Sequence, residues 1–278
     1  KVLITGGTGF LGSHLTKRII DKVETVTIAT TDIRQQTTLK ALGVDVDKIN
    51  LVKGDIRDFD KLKEVVKGKD VIIHLAAIVG FPACRMNPQL AKDVNVQGTI
   101  NLINACDKNQ VVFYGSTGSN YGAVTEICTE QTPLNPLSLY GETKTEAEQL
   151  LLDRDNTIAY RFATAFGVSP RLRLDLLVND FANKCIRDGY LVVYEKNFMR
   201  TFIHVSDIAR CFIFGMNNVS NMINNVYNVG DDSMNYSKEE VCNMISKRTN
   251  AFIHFEEIGS DADKRNYIVS YDKIRSLG

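Results

Sequence analysis

The 278-residue chain has no tryptophan, five prolines and four histidines, and no excess of either charge: 33 Lys and Arg balance 33 Asp and Glu. A net charge of zero, with no long run of one sign, excludes the electrostatic footprint of a nucleic-acid binder or of a protein drawn to anionic membranes. No apolar stretch reaches the roughly 18 residues of a membrane span, and no signal-peptide pattern opens the chain. The six cysteines (Cys84, Cys106, Cys128, Cys185, Cys211 and Cys242) are scattered without a C-x-x-C pair. Neither a disulfide framework nor a metal site is therefore expected. They read as buried free thiols of a reducing compartment, which predicts a cytoplasmic protein. Internal repeats and low-complexity linkers are missing too. What is present is a 44% hydrophobic composition, enough for a large core in one big domain or two unequal ones.

The chain opens Lys1-Val2-Leu3-Ile4-Thr5-Gly6-Gly7-Thr8-Gly9-Phe10-Leu11-Gly12. Val2 to Ile4 suit a strand buried on both faces, and Phe10, Leu11, Leu15 and Ile19 recur at helical intervals. Gly6, Gly9 and Gly12, spaced G-x-x-G-x-x-G between that strand and that helix, make a dinucleotide site. The turn is tight, the backbone can approach a pyrophosphate, and free N–H groups with the helix dipole face its charge. The alternative is a tight strand-to-helix turn with no ligand. Residues 24–29 alternate as a second strand ending at Thr30-Thr31-Asp32-Ile33-Arg34. An acid there accepts the adenosine ribose hydroxyls, whereas an arginine greets a 2′-phosphate. Asp32 and Arg34 are both on offer, with Thr30 where the acid is most expected, so NAD and NADP both stay open.

Strands are predicted at 49–53, 70–75 and 111–114, with a long amphipathic helix over 88–108 containing Asn95. Asp58 is placed to cap the helix through Val65 and Val66. The fourth strand runs into His74-Leu75-Ala76-Ala77, small residues that leave room for a flat ligand at a strand's carboxyl end. His74 reads as a hydrogen-bonded structural histidine, with a catalytic role as the alternative. Strands and helices alternating at this pace imply an α/β fold, a doubly wound parallel sheet of Rossmann type with right-handed crossovers.

Tyr140 and Lys144 lie four apart on a helix set by Ala147, Leu150 and Leu151, hence on one face. An ammonium beside a phenol favours the phenolate, which predicts a lowered Tyr140 pKa and a base for a sugar hydroxyl. An incidental Tyr and Lys on an exposed helix is the bland alternative.

These motifs, in this order, resemble the extended short-chain dehydrogenase/reductases of the NAD-dependent epimerase/dehydratase family that act on nucleotide sugars. The resemblance rests on Gly6 to Gly12, Gly54 to Asp58, His74 to Ala77, Asn95 to Thr99, Tyr140 to Lys144, and Arg200 to Asp207. It implies that Gly6, Gly9, Phe10, Leu11 and Gly12 hold a pyrophosphate, that Asp55 and Ile56 meet adenine, and that Leu75, Ala76 and Ala77 line the cofactor, NAD with NADP not excluded. It further implies Tyr140 as base, Lys144 on the nicotinamide ribose, Thr117 on the reacting hydroxyl and Arg200 on the substrate diphosphate. Asp207 reads as a helix cap. The implied reaction moves a hydride at sugar C4 through a 4-keto intermediate, in a homodimer built on the 88–108 and 140–153 helices.

Departures from the family pattern narrow this implication. Gly118 and Ser119 stand where sugar 4,6-dehydratases carry an Asp-Glu or Ser-Glu pair, which argues against that reaction. Thr164 replaces an Asn that contacts the nucleotide sugar in epimerases. The C-terminal Arg-Pro-Gly-Asp is missing, with Ser260-Asp261-Ala262-Asp263-Lys264-Arg265 in its region, where Arg265 is either its substitute or a surface arginine. Residues 169–181, with Arg171 and Arg173, resemble oxidising enzymes of nucleotide-activated heptoses. A nucleotide-sugar epimerase is thus the first reading. The alternatives are a GDP-heptose-type C4 dehydrogenase, a 4-keto-sugar reductase, or a non-catalytic dinucleotide-binding protein. The dinucleotide-binding domain is expected over 1–166 with a returning segment at about 200–217, and a smaller substrate-binding α/β domain over 167–199 and 218–278. Within the latter a helix is expected at 174–186, and Ser237 with Glu240 should form a capping box.

Overall fold

The computed structural model describes residues 1–260 and 263–278. The opening apolar run forms β1 (Val2–Thr5), and α1 (Phe10–Ile19) follows the glycines. The chain then alternates through β2 (Val26–Thr30), α2 (Gln36–Ala41), β3 (Ile49–Lys53), α3 (Phe59–Val66) and β4 (Val71–His74). Three helical pieces come next, α4 (Phe81–Met86), α5 (Pro88–Lys92) and α6 (Gly98–Ala105), before β5 (Val111–Thr117) and β6 (Ala123–Cys128). The helix α7 (Leu139–Leu152) leads to β7 (Thr157–Phe162), β8 (Thr164–Phe166), α8 (Leu177–Asp188), β9 (Tyr190–Tyr194) and β10 (Met199–His204). The last part holds α9 (Val205–Asn217), α10 (Val219–Met222), β11 (Asn225–Val229), β12 (Asn235–Ser237), α11 (Lys238–Thr249), β13 (Phe252–Glu256), β14 (Asn266–Val269) and α12 (Asp272–Arg275).

Seven strands make one sheet in the order β11-β7-β5-β4-β1-β2-β3, every neighbouring pair parallel. Both faces are covered, as the apolar strand sequences require. Val2 and Ile4 face a core shared with Leu15 of α1 and Phe212 of α9. Leu3, one residue between them, faces Leu62 of α3, Leu102 of α6 and Leu151 of α7. Each such side chain contributes about 1.5–3 kcal/mol on burial. Because β1 lies between β2 and β4, the strand order reverses beside it, and open sheets bind ligands outside the carboxyl ends at such a point.

Smaller sheets, β12-β10-β8, β13-β9 and β14-β6, pack around this frame. Residues 225–229, expected on the substrate side, extend the large sheet at its edge against β7. The 88–108 helix is interrupted by a π turn over Asp93–Gln97 and ends at Ala105. At that turn the buried Asn95 amide grips the backbone of Ile78, accepting from its N–H at 2.8 Å and donating to its carbonyl at 2.9 Å. Its Nδ2 also donates to Thr143 Oγ1 at 3.0 Å. The helix expected from residue 174 starts at Leu177.

Asp58 caps α3, and Ser237 with Glu240 forms the capping box of α11. At α9 the cap is not Asp207. His204 takes that place, its Nδ1 accepting from Ser206 N at 3.2 Å, while Asp207 pairs with Arg210 on the surface. The six cysteines are free thiols, five of them buried and Cys106 half-buried. Among the described residues no helix is long and apolar enough to cross a membrane.

Candidate active site

The glycine turn is shaped by close approach. Gly6 has φ +76°, and a Cβ there would lie 3.0 Å from the Ala76 nitrogen. At Gly12 a Cβ would fall 2.3 Å from the Gly6 carbonyl oxygen, an impossible contact. No side chain caps α1 and its first turn holds no acidic residue, so its N-terminal N–H groups and dipole stay available to an anion. Gly6, Gly9, Phe10, Leu11 and Gly12 all line a cleft of about 1030 Å³, at the upper end of small-molecule sites. A backbone cradle that any side chain would fill, set at an uncapped helix start, fits a pyrophosphate.

The cleft passes Leu75, Ala76 and Ala77 after β4. His74, just before them, turns into the protein. Its Nδ1 lies 2.8 Å from Thr5 Oγ1 and its Nε2 3.1 Å from Thr99 Oγ1. Burial, then the charge of Lys144, lowers its pKa to about 3, so it stays neutral as a structural residue.

At the far end the lining is Thr30, Thr31, Gln35, Asp55 and Ile56. The Thr8 hydroxyl donates to Gln35 Oε1 at 2.8 Å and lies 3.2 Å from Thr30 Oγ1. Neither Asp32 nor Arg34 lines the cleft, contrary to expectation. Their two-residue spacing across a 3₁₀ turn folds the guanidinium onto the carboxylate, with Nε–Oδ1 and Nη2–Oδ2 both 2.9 Å. Asp55 pairs with Arg57 in the same way, which holds its pKa below the usual carboxylate value, and it still borders the cleft.

Tyr140 enters from the first turn of α7, which Ser138 caps, and lines the cleft with Thr117 at the end of β5, whose hydroxyl donates to Ser119 Oγ at 3.0 Å. Lys144, one turn on, is 3% exposed, its Nζ 3.9 Å from the centre of the Tyr114 ring. Burial lowers the Lys144 pKa to about 7 against the opposing pull of Glu148. The Tyr140 pKa is raised, by burial first, with Arg173, Thr117 and Arg265 acting the other way. The expected lowering of the phenol by Lys144 is therefore not found in this state. Desolvation penalises the charged forms of both groups and outweighs their proximity. Behind them Glu148 is buried against Arg161 at 2.6 Å and accepts from Ser116 Oγ at 2.5 Å.

The remaining candidates converge on the same end. Thr164, Arg171, Arg200 and Arg265 all line the cleft. Arg265 donates to Ser119 Oγ and is clamped by Asp263, whose carboxyl is held well below its usual pKa by Arg265 and Arg200 despite its burial. Arg200 is buried and donates to the Asp263 carbonyl at 3.2 Å. Arg173 pairs with Asp175 at 2.5 Å and reaches the Val79 carbonyl at 3.4 Å. Asp261 and Ala262, within the replaced C-terminal motif, lie outside the described residues. Sequence reasoning missed Thr8, Gln35, Asp263 and Asp175. Only the Asp-x-Arg and Arg-x-Asp spacings could have signalled the last two. Among the described residues no cluster of His, Cys, Asp and Glu could hold a metal ion.

The chain is similar to known proteins. The NAD dependent epimerase/dehydratase family matches residues 2–230. A putative UDP-glucose 4-epimerase of Methanocaldococcus jannaschii is 30% identical over 236 residues, covering 80% of this chain and 75% of that one. The solved structure of MoeE5 in complex with UDP-glucuronic acid and NAD superposes with a TM-score of 0.84 at 26% identity, over 100% of this chain and 92% of that one. A dTDP-glucose 4,6-dehydratase from Bacillus anthracis in complex with NAD has a TM-score of 0.83 at 23% identity, over 99% and 89% of the two chains. That last likeness is one of fold.

Proposed function

The chain belongs to the NAD dependent epimerase/dehydratase family, and within it we propose that it is a nucleotide-sugar epimerase working at sugar C4 with bound NAD. The observation that carries this reading is that Thr117, Tyr140 and Lys144 line the same cleft as the glycine cradle and Arg171, Arg173, Arg200 and Arg265. Gly6, Gly9 and Gly12 would hold the pyrophosphate, and Leu75, Ala76 and Ala77 the flat part of the cofactor. The cofactor supplies the acceptor and then the donor of a hydride. Thr117 orients the sugar hydroxyl toward the Tyr140 oxygen, which takes the hydroxyl proton as C4 becomes a ketone and returns it to the C4 oxygen when that carbon is reduced again on its opposite face. Arg171, Arg200 and Arg265 bind the diphosphate, a task suited to planar guanidinium groups. Residues 167–199 and the chain after β11 form the substrate side of the cleft, and the protein works as a homodimer.

Tyr140 rests as a phenol at neutral pH, since burial raises its pKa. A reaction that eliminates water across C5 and C6 is disfavoured because Gly118 and Ser119 offer no carboxyl acid or base beside Thr117. Ser119 is instead held by Arg265. The reading is tested by identifying any dinucleotide released on denaturation, then incubating the protein with UDP-, GDP-, dTDP- and CDP-sugars. Conversion to the C4 isomer with no net cofactor change is expected. Stoichiometric NADH with release of a keto sugar would favour the heptose-type dehydrogenase instead. Tyr140→Phe should abolish turnover with dinucleotide binding intact, and an unchanged rate would remove Tyr140 from the chemistry.

A further inference from the structure

The cleft wall at the carboxyl end of β2 is uncharged. β2 and the turn after it give the cleft Ala29, Thr30, Thr31 and Gln35, and Gln35 and Thr30 are bound to the Thr8 hydroxyl. Asp32, the single acid between residues 26 and 41, is withdrawn from it. Its Oδ1 accepts from both the Arg34 backbone at 3.0 Å and Arg34 Nε at 2.9 Å, and its Oδ2 from Nη2 at 2.9 Å. A carboxylate in this segment ordinarily does two things: it accepts from the ribose hydroxyls and it repels a 2′-phosphate. Hydroxyl and amide groups can do the first and cannot do the second.

Charge around this end does not restore the repulsion. Asp32 is matched by Arg34 and Asp55 by Arg57, and the Lys53 ammonium acts on Asp32 from the end of β3. With the Asp93 carboxylate acting on Arg57, three cations stand against three carboxylates, and no net negative charge is left to repel a phosphate. Arg34 is exposed, and among the described residues its guanidinium is held by Asp32 alone.

We propose that this wall does not exclude a 2′-phosphate, so that the chain binds NADP about as well as NAD, with Thr31 and Gln35 as the specificity-determining positions. The proposal rests on the dinucleotide reading above and adds which dinucleotides the site takes. The test is calorimetric titration of the dinucleotide-free protein with NAD⁺ and with NADP⁺. The two dissociation constants should lie within tenfold of one another; a preference for NAD wider than that overturns the proposal and leaves the NAD reading standing. Thr31→Asp, at an exposed position, should shift the ratio at least tenfold toward NAD by weakening NADP⁺ alone. Gln35→Glu, which puts a carboxylate on the same wall, should shift it the same way. A ratio unmoved by both variants overturns the assignment of these positions. Binding of neither dinucleotide overturns this proposal and the cofactor reading together.

Discussion

Replacing Lys144 with methionine should stabilise the dinucleotide-free protein, and the gain should shrink as the pH rises. Lys144 is 3% exposed, its ammonium rests on the Tyr114 ring, and its pKa in the fold is about 7 against 10.5 for an ordinary lysine. The folded state thus holds this proton less tightly than the unfolded chain does. Below about pH 7 both states carry the charge and the whole penalty is present; between about pH 7 and 10.5 only the unfolded chain carries it, and stability rises with pH until the penalty is gone. At about 1.4 kcal/mol per pH unit, the charge costs the fold about 4 kcal/mol at neutral pH and about 2 kcal/mol at pH 9. Methionine fills similar space, titrates nowhere and removes the penalty at every pH. For a chain of this size 1 kcal/mol moves Tm by about 2 °C, so Lys144→Met should melt several degrees higher at pH 7, with the gap narrowing by about 4 °C at pH 9. Calorimetric scans of both proteins at the two pH values read this directly. A gap that does not close, or a variant that melts lower at pH 7, would refute the claim that burial strips Lys144 of its charge. Function would explain why a residue that costs the fold so much sits there.

Two further outcomes follow from the same geometry. Glu148→Gln leaves Arg161, 5% exposed, without its buried anion, a loss of about 3–5 kcal/mol read as a lower urea midpoint at unchanged slope; a loss under about 1 kcal/mol would mean that water reaches the pair. Gly12→Ala drives a methyl into the Gly6 carbonyl and should cost NAD affinity at least tenfold in a titration while the far-ultraviolet dichroism stays native. Unchanged affinity would show that the turn is not the pyrophosphate cradle.

The parts of the site legible in the sequence are those fixed by local spacing. Gly6, Gly9 and Gly12 had to lie in one turn because a strand and a helix flank them, and Tyr140 and Lys144 had to share a helix face because they are four apart. The capping box at Ser237 is likewise a matter of three residues. What the sequence hid depends on surroundings. Asp32 reads as a ribose ligand until the turn after β2 folds Arg34 onto it. The direction of the Tyr140 pKa follows from how much protein covers the phenol, which no neighbouring letter records. The π turn at Asp93–Gln97 is invisible to a periodicity count, since one wide turn barely disturbs an apolar stripe. Short strands such as β8 and β12, three residues each, exist only because β10 lies between them.

The six thiols carry a practical consequence. Burial raises every one of their pKa values, to about 11 even for the half-buried Cys106. At neutral pH only about one Cys106 in ten thousand is a thiolate, the form that reacts with maleimides and peroxides. A cysteine introduced on the surface would therefore be a nearly unique attachment point in the otherwise native sequence. With one such cysteine on each side of the cleft, distances across it could be followed with a dye pair as nucleotide sugars bind, without first replacing the native thiols.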